Sequence, residues 1–381
     1  MRTSDGIKKQ QMNRKKVLFI SNSKYVDQHS SEGGVKLCTK EYIDLIASTF
    51  EVLIFPVDLN LSLFYRVKKK LGLAVYDDYA PGNYSDELKN IIADNNIGYV
   101  FLNLTNTIIF SGLLKKLFPQ LKVILCSHGN ESGDFLHEIV MHEKYKGLKK
   151  IIAQQALGKM LIIESTYRNY IDVVLTVSEV EVMIEKWIGA KEVKLITRTI
   201  YDHAIPLHPV NGRIGFFADL SHAPNLYGIE KVCTSLAKLN PEAIELRLVG
   251  AQKDVGVSLA NDYPFVTYLG YLTESELEKE VSGWMFAINP VFYYSRGVST
   301  KLGKALSWGL PVITSEKGLR GYQWGNGEIL TCDNAEEMAA IILTHSIDME
   351  ASLYYRKQVE YMKASAPDLK EMMKEVINLL K

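Results

Sequence analysis

Residues 297–309 read GVSTKLGKALSWG and run on into LPVIT at 310–314. An apolar run ending at Asn289-Pro290 comes before them. A small-residue loop then leads through Ser299, Thr300 and Lys301 into a helical pattern that stops at Gly309, and Val312–Thr314 form a second short apolar run. The order is strand, glycine turn, helix, strand, the repeating unit of a parallel α/β sheet. The start of such a helix presents backbone N–H groups and the positive end of the helix dipole, which bind phosphate. Lys301 adds a point charge beside them. The same residues, taken alone, also describe an ordinary capped helix with a solvated lysine.

Working outward, the pattern repeats. Strands are expected at 16–20 (KVLFI), 51–57 (EVLIFPV), Tyr99–Leu102, Val123–Cys126, Val173–Val177 and Lys194–Ile196. A second series is expected at Ile214–Phe217, Leu246–Val249, Val266–Leu269, Phe286–Ile288 and Val312–Thr314. Helical patterns lie between most of them, including Gly228–Lys238, Glu274–Ser282 and Lys301–Trp308, so both series predict parallel sheets. The segment HAIPLHPVNG (203–212), with its prolines and glycine, reads as the linker between the two. Helix resumes from about Met349 and breaks at Ala366-Pro367, where Asp368 is placed to cap a last amphipathic helix.

The bulk numbers exclude more than they assign. A chain of 381 residues suggests two domains. Lys plus Arg and Asp plus Glu both number 44, so charge offers no hint of a nucleic-acid partner. No run approaches the roughly 18 apolar residues of a membrane span. The N-terminus, MRTSDGIKKQQMNRKK, lacks the apolar core of a secretory signal and reads as a tail. Cys38, Cys126, Cys233 and Cys332 are far apart, without metal-ligand spacing, and read as buried reduced thiols of a cytoplasmic protein.

Several segments in chain order resemble the GT-B glycosyltransferases, especially the group typified by retaining family 4. Gly33-Gly34 follows the first strand like that family's glycine-rich loop. VILCSHGNE (123–131) resembles its strand and histidine loop, and IDVVLTVSEVE (171–181) the segment that closes its first domain. IGFFADLSHAPN (214–225), LRLVG, VTYLGYL and AINPVF follow in the family's order, and then the opening motif. The resemblance implies two Rossmann-like domains facing each other across a cleft, an α/β fold of GT-B type. Expected divisions are 1–204 for acceptor binding, 205–360 for the nucleotide-sugar, and 361–381 as a helix returning to the first domain. It implies a hexosyltransferase-type enzyme moving a sugar from a nucleotide-sugar to a glycan or glycolipid acceptor, with retention, in bacterial surface polysaccharide synthesis. His128 and Lys301 are the catalytic candidates. Gly33, Gly34, Asn225, Arg296, Ser299, Thr300, Lys301 and Lys304 are the donor-binding candidates.

Two departures matter. The family often carries two glutamates eight positions apart around the donor helix, where this chain has Arg296 and Lys304. Its first donor-domain loop often carries an Arg and a Lys, where this chain has Ser221, His222, Ala223 and Pro224. A non-catalytic GT-B-like partner subunit and a nucleotide-sugar epimerase therefore stay open as alternatives. There is no Asp-x-Asp, so a metal-free clamp of basic side chains and helix N-terminus is expected on the leaving diphosphate. His137 and His142 are five apart, on different helix faces, and make no zincin motif; no Gly-x-Gly-x-x-Gly follows the first strand. LFYRVKKKLG (63–72) and KYKGLKKIIAQQALGKMLI (144–162) mix basic and apolar residues and suggest a peripheral hold on an anionic membrane surface.

Overall fold

The computed structural model describes residues 14–27, 33–59, 62–76, 78–141 and 145–381. The first thirteen residues of the expected tail, the end of the loop before Gly33, and Lys144 lie outside them. The chain forms two compact units. One comprises the residues up to Ile196 together with Asp368–Lys381, and the other comprises Thr197–Pro367.

The first unit holds a six-stranded parallel sheet. Its strands are β1 (Lys16–Asn22), β2 (Glu51–Val57), β3 (Tyr99–Asn103), β4 (Lys122–Cys126), β5 (Val173–Thr176) and β6 (Val193–Leu195). Their order is β2-β1-β3-β4-β5-β6. Central strands are apolar throughout because both faces are covered by helices. In β1 every residue after Lys16 is buried. Leu18, Ile20, Val100, Leu102, Val123 and Leu125 form the middle of one core.

The second unit repeats the architecture. Its strands are β7 (Arg213–Phe217), β8 (Glu245–Val249), β9 (Val266–Gly270), β10 (Phe286–Asn289), β11 (Val312–Ser315) and β12 (Leu330–Cys332), in the order β12-β11-β10-β7-β8-β9. β12 was not among the expected strands. It is three residues long and lies at the sheet edge against β11, too short for a periodic signal. The donor-side helix spans Thr300–Ser307.

The expected domain divisions need correction. The chain crosses between units at 196/197 and 367/368, not at 204/205 and 360/361. The segment 203–212 is not a free linker: it is strapped to the second unit by its own backbone. The N–H groups of His203 and Ile205 donate to the carbonyls of Ser307 and Trp308, and those of His208 and Val210 to Ser282 and Gly283. An extended strand thus satisfies the open carbonyls at two helix ends. The last helix, Leu369–Leu380, is capped by Asp368, which accepts from the N–H groups of Lys370 and Glu371. It packs on the helix Gly34–Ala47 of the first unit and buries Met372, Met373, Val376 and Leu380.

Candidate active site

In an open parallel sheet, ligands bind at the carboxyl ends of the strands, where the strand order switches direction. In the second unit that point lies between β7 and β10. Two buried features flank it. After β7, Asp219 accepts hydrogen bonds from the N–H and Oγ of Ser221, which tightens the loop. Asn225, in the first turn of the helix Ala223–Lys238, donates its Nδ2 to the Asp219 carbonyl at 2.9 Å. That bond orients the amide, so its Oδ1 faces across the switch point. Lys301 reaches the same spot from the other helix, and its Nζ donates to Asn225 Oδ1 at 2.7 Å.

The ammonium of Lys301 also lies 5.8 Å from the centre of the buried Phe216 ring. Burial pulls its pKa down to about 8. No carboxylate offsets the burial. An ammonium has three donors, and one carbonyl uses only one of them. A buried cation without an anion is costly, which makes this side chain the second unit's candidate anion site.

The helix start is partly spoken for. Ser299 caps it: its Oγ accepts from the Leu302 N–H and donates to Asn289 Oδ1 at 2.8 Å. Asn289, at the end of β10, is itself held by Thr314 and the Gly318 carbonyl. The Gly303 N–H donates to the hydroxyl of Tyr322, which in turn donates to the Ser299 carbonyl. Gly297 holds φ +72, a left-handed turn that glycine adopts without cost. Thr300 opens the helix, and Arg296 lies half-buried just before Gly297. Lys304 does not join Lys301 at Asn225; it pairs with Glu274 instead.

In the first unit His128 follows β4 and is buried. Its Nε2 lies 2.7 Å from Asn103 Oδ1. Asn103 donates its amide to Ser21 Oγ and Thr39 Oγ1, both at 2.9 Å, so its Oδ1 is the acceptor and His128 Nε2 carries the proton. In the neutral ring Nδ1 is then the acceptor. Tyr42 packs against the ring and anchors the Ser127 and Leu175 carbonyls. Beside it, Asn130 and Ser132 are tied to the buried Glu164, whose carboxyl burial pushes above the usual range. Gly33 caps the helix Gly34–Ala47 in extended backbone, and a side chain there would meet open space. Asn103, Asn289 and Glu164 were not among the expected site residues. Each ends a strand or sits mid-helix with no motif around it, so only the fold reveals its partners.

Residues 211–347 match the family model described as Glycosyl transferases group 1. None of the curated proteins compared matches the chain in sequence. Among solved structures, sucrose-phosphate synthase from Thermosynechococcus elongatus is similar at a TM-score of 0.66 with 16% identity, covering 96% of this chain and 98% of that one. The lipopolysaccharide outer core galactosyltransferase WaaB is similar at 0.56 with 12% identity, covering 96% and 99%. S. aureus TarM, whose structure is a complex with fondaparinux, alpha-GlcNAc-glycerol and UDP, is similar at 0.56 with 15% identity, covering 80% and 59%. At these identities the structural likeness establishes the fold alone. With residues 211–347 in the Glycosyl transferases group 1 family and each unit built as in the GT-B fold, the chain is a GT-B glycosyltransferase of the hexosyltransferase type.

Proposed function

We propose that the second unit binds a nucleotide-sugar by its diphosphate at Lys301 and that the chain transfers the sugar, without a metal and with retention, to a glycan or glycolipid of a bacterial surface polysaccharide. The observation that carries this reading is the buried Lys301 ammonium on Asn225, with no carboxylate facing it, at the strand switch point. A diphosphate supplies the missing negative charge. The Thr300 and Lys301 backbone N–H groups, the two that Ser299 and Tyr322 leave over, complete the clamp. Arg296 is assigned to the same phosphates. Lys301 stabilises the charge that grows on the leaving diphosphate, and the diphosphate takes the acceptor proton. In the first unit His128 Nδ1, with Nε2 held by Asn103, accepts a hydrogen bond from a sugar or acceptor hydroxyl. Gly33 and Gly34 let backbone approach the same ligand. UDP and a glycosylated glycerol in the TarM complex are what a sugar transfer of this class would use and make.

A lipid-linked acceptor would explain the first unit's surface. The helix Leu63–Lys70 exposes Leu63 and Phe64 (78% and 69%) among Arg66, Lys68, Lys69 and Lys70. The turn after it touches the helix Leu148–Arg168, where Lys159 Nζ donates to the Leu73 carbonyl at 3.4 Å. That second helix exposes Leu148 and Ile151 beside Lys149 and Lys150. The two basic-apolar stretches are therefore neighbours on one surface, suited to an anionic membrane on the cytoplasmic side.

The test is binding of UDP, GDP, ADP, CMP and TDP by calorimetry and thermal shift. One nucleotide should raise the unfolding midpoint by mass action, and Lys301→Ala should weaken it by roughly tenfold to a hundredfold, the worth of a charged hydrogen bond. No binding by any of them favours the second reading, a non-catalytic partner subunit, which the engagement of Lys304 with Glu274 also suits.

A further inference from the structure

The ion pair of Lys304 and Glu274 has no part in the clamp at Lys301, yet it lies at the same edge of the sheet. The helices Glu274–Val281 and Thr300–Ser307 follow β9 and β10, both strands of one parallel sheet. Their first turns therefore sit level with the Asn225–Lys301 contact. Lys301 and Lys304 are three residues apart and share a helix face, roughly 5–6 Å between Cβ atoms.

The pair is built rather than incidental. Lys304 Nζ lies 2.5 Å from Glu274 Oε2 and 5.2 Å from the centre of the Trp308 ring, which is itself buried. The ring holds the lysine stem and the ammonium holds the carboxylate. The helix of Glu274 does not need that carboxylate as a cap, because Thr273 and Glu276 already close its N-terminus as a capping box. The Glu274 side chain stays 54% exposed. The loop in front of it is open. Gly270 turns at φ +76 with nothing within 4 Å of where a Cβ would stand, and Tyr271 is 78% exposed.

A carboxylate repels a further phosphate, but its two oxygens accept from neighbouring hydroxyls. A ribose diol is such a group, and acidic side chains recognise it in other nucleotide sites. In a nucleoside diphosphate the ribose is the next group after the phosphates. Other acids at this edge are placed less well: Asp219 is occupied by Ser221, and Glu316 follows β11, on the far side of β10. We infer that Glu274, steadied by Lys304, accepts hydrogen bonds from the ribose hydroxyls of a ribonucleoside diphosphate whose phosphates lie on Lys301. The inference rests on the donor-site reading above.

The experiment is calorimetry with UDP, GDP, ADP and CDP and their 2′-deoxy counterparts. Wild type, Glu274→Ala, Lys304→Ala and Lys301→Ala are compared. Wild type should prefer the ribonucleotide by roughly tenfold or more, as a hydrogen bond to a charged group allows. Glu274→Ala should bring the ratio close to one, mainly by weakening the ribonucleotide. Lys304→Ala should narrow it, and Lys301→Ala should weaken both forms alike and leave the ratio in place. Retention of the wild-type ratio by Glu274→Ala overturns the inference and leaves the donor site standing. An unchanged ratio in Lys304→Ala overturns the part given to Lys304. A wild type that favours deoxynucleotides also overturns the inference. A wild type that binds none of the diphosphates overturns the donor-site reading and this inference with it.

Discussion

Lys301 and His128 show how little a residue's identity says until its partners are known. Lys301 has an ordinary pKa of 10.5, which burial lowers to about 8. The sign follows from linkage: between those values the unfolded chain binds more protons, so stability rises with pH from about 8 to 10.5. Below 8 the cost of burying the charge is present in full. We expect Lys301→Met to be more stable than wild type at pH 7, on the order of 2 kcal/mol, and the gap to close as pH passes 8 toward 10.5. Denaturant unfolding across that range checks it. The same titration acts on the ligand in the opposite direction. A nucleoside diphosphate needs the ammonium, so its affinity should fall as pH rises through about 8, and binding above that pH should take up a proton.

At the scale of elements, the site depends on how closely one helix approaches one loop. The helix Ala223–Lys238 carries Asn225, and three residues on it presents Gly228 to the loop after β10. A Cβ at Gly228 would stand 1.8 Å from the Pro290 carbonyl oxygen. No rotamer relieves a clash with backbone, so the helix or the loop must move. Gly228→Ala should therefore cost about 1–3 kcal/mol, as overpacking does, although alanine favours helix more than glycine does. It should also weaken nucleotide binding, because the shift separates Asn225 from Lys301. Urea unfolding and nucleotide calorimetry on the one variant measure both effects.

At the scale of the whole molecule, the C-terminal helix returns to the first unit, and that unit's outer surface is unusually apolar among its lysines. Leu148 is 71% exposed in a helix whose neighbours are basic. A surface of that kind should bind vesicles containing anionic phosphatidylglycerol and not neutral phosphatidylcholine vesicles. Replacing Leu63 and Phe64 with serine should release the protein into the soluble fraction of a flotation gradient. Wild type that stays soluble with anionic lipid would refute the membrane role. Among the described residues no helix is long and apolar enough to cross a membrane, so attachment would be to the surface.

The sequence by itself determined the elements. Apolar runs of strand length alternating with helical patterns placed eleven strands and the two sheets, because the two periodicities are local properties of the chain. Asp368 was legible as a cap because its partners are two and three residues away. The Ser299–Lys301 helix start was legible for the same reason. Tertiary structure decided the rest. Lys301 meets Asn225 across 76 residues, and Lys304 meets Glu274 across 30. His128 takes its tautomer from Asn103 and so from Ser21 and Thr39. The segment 203–212, with linker composition, belongs to the second unit because distant helix ends needed its N–H groups. These pairings depend on where whole elements pack. A local pattern specifies an element and the face it buries, but not which distant side chain will stand opposite it.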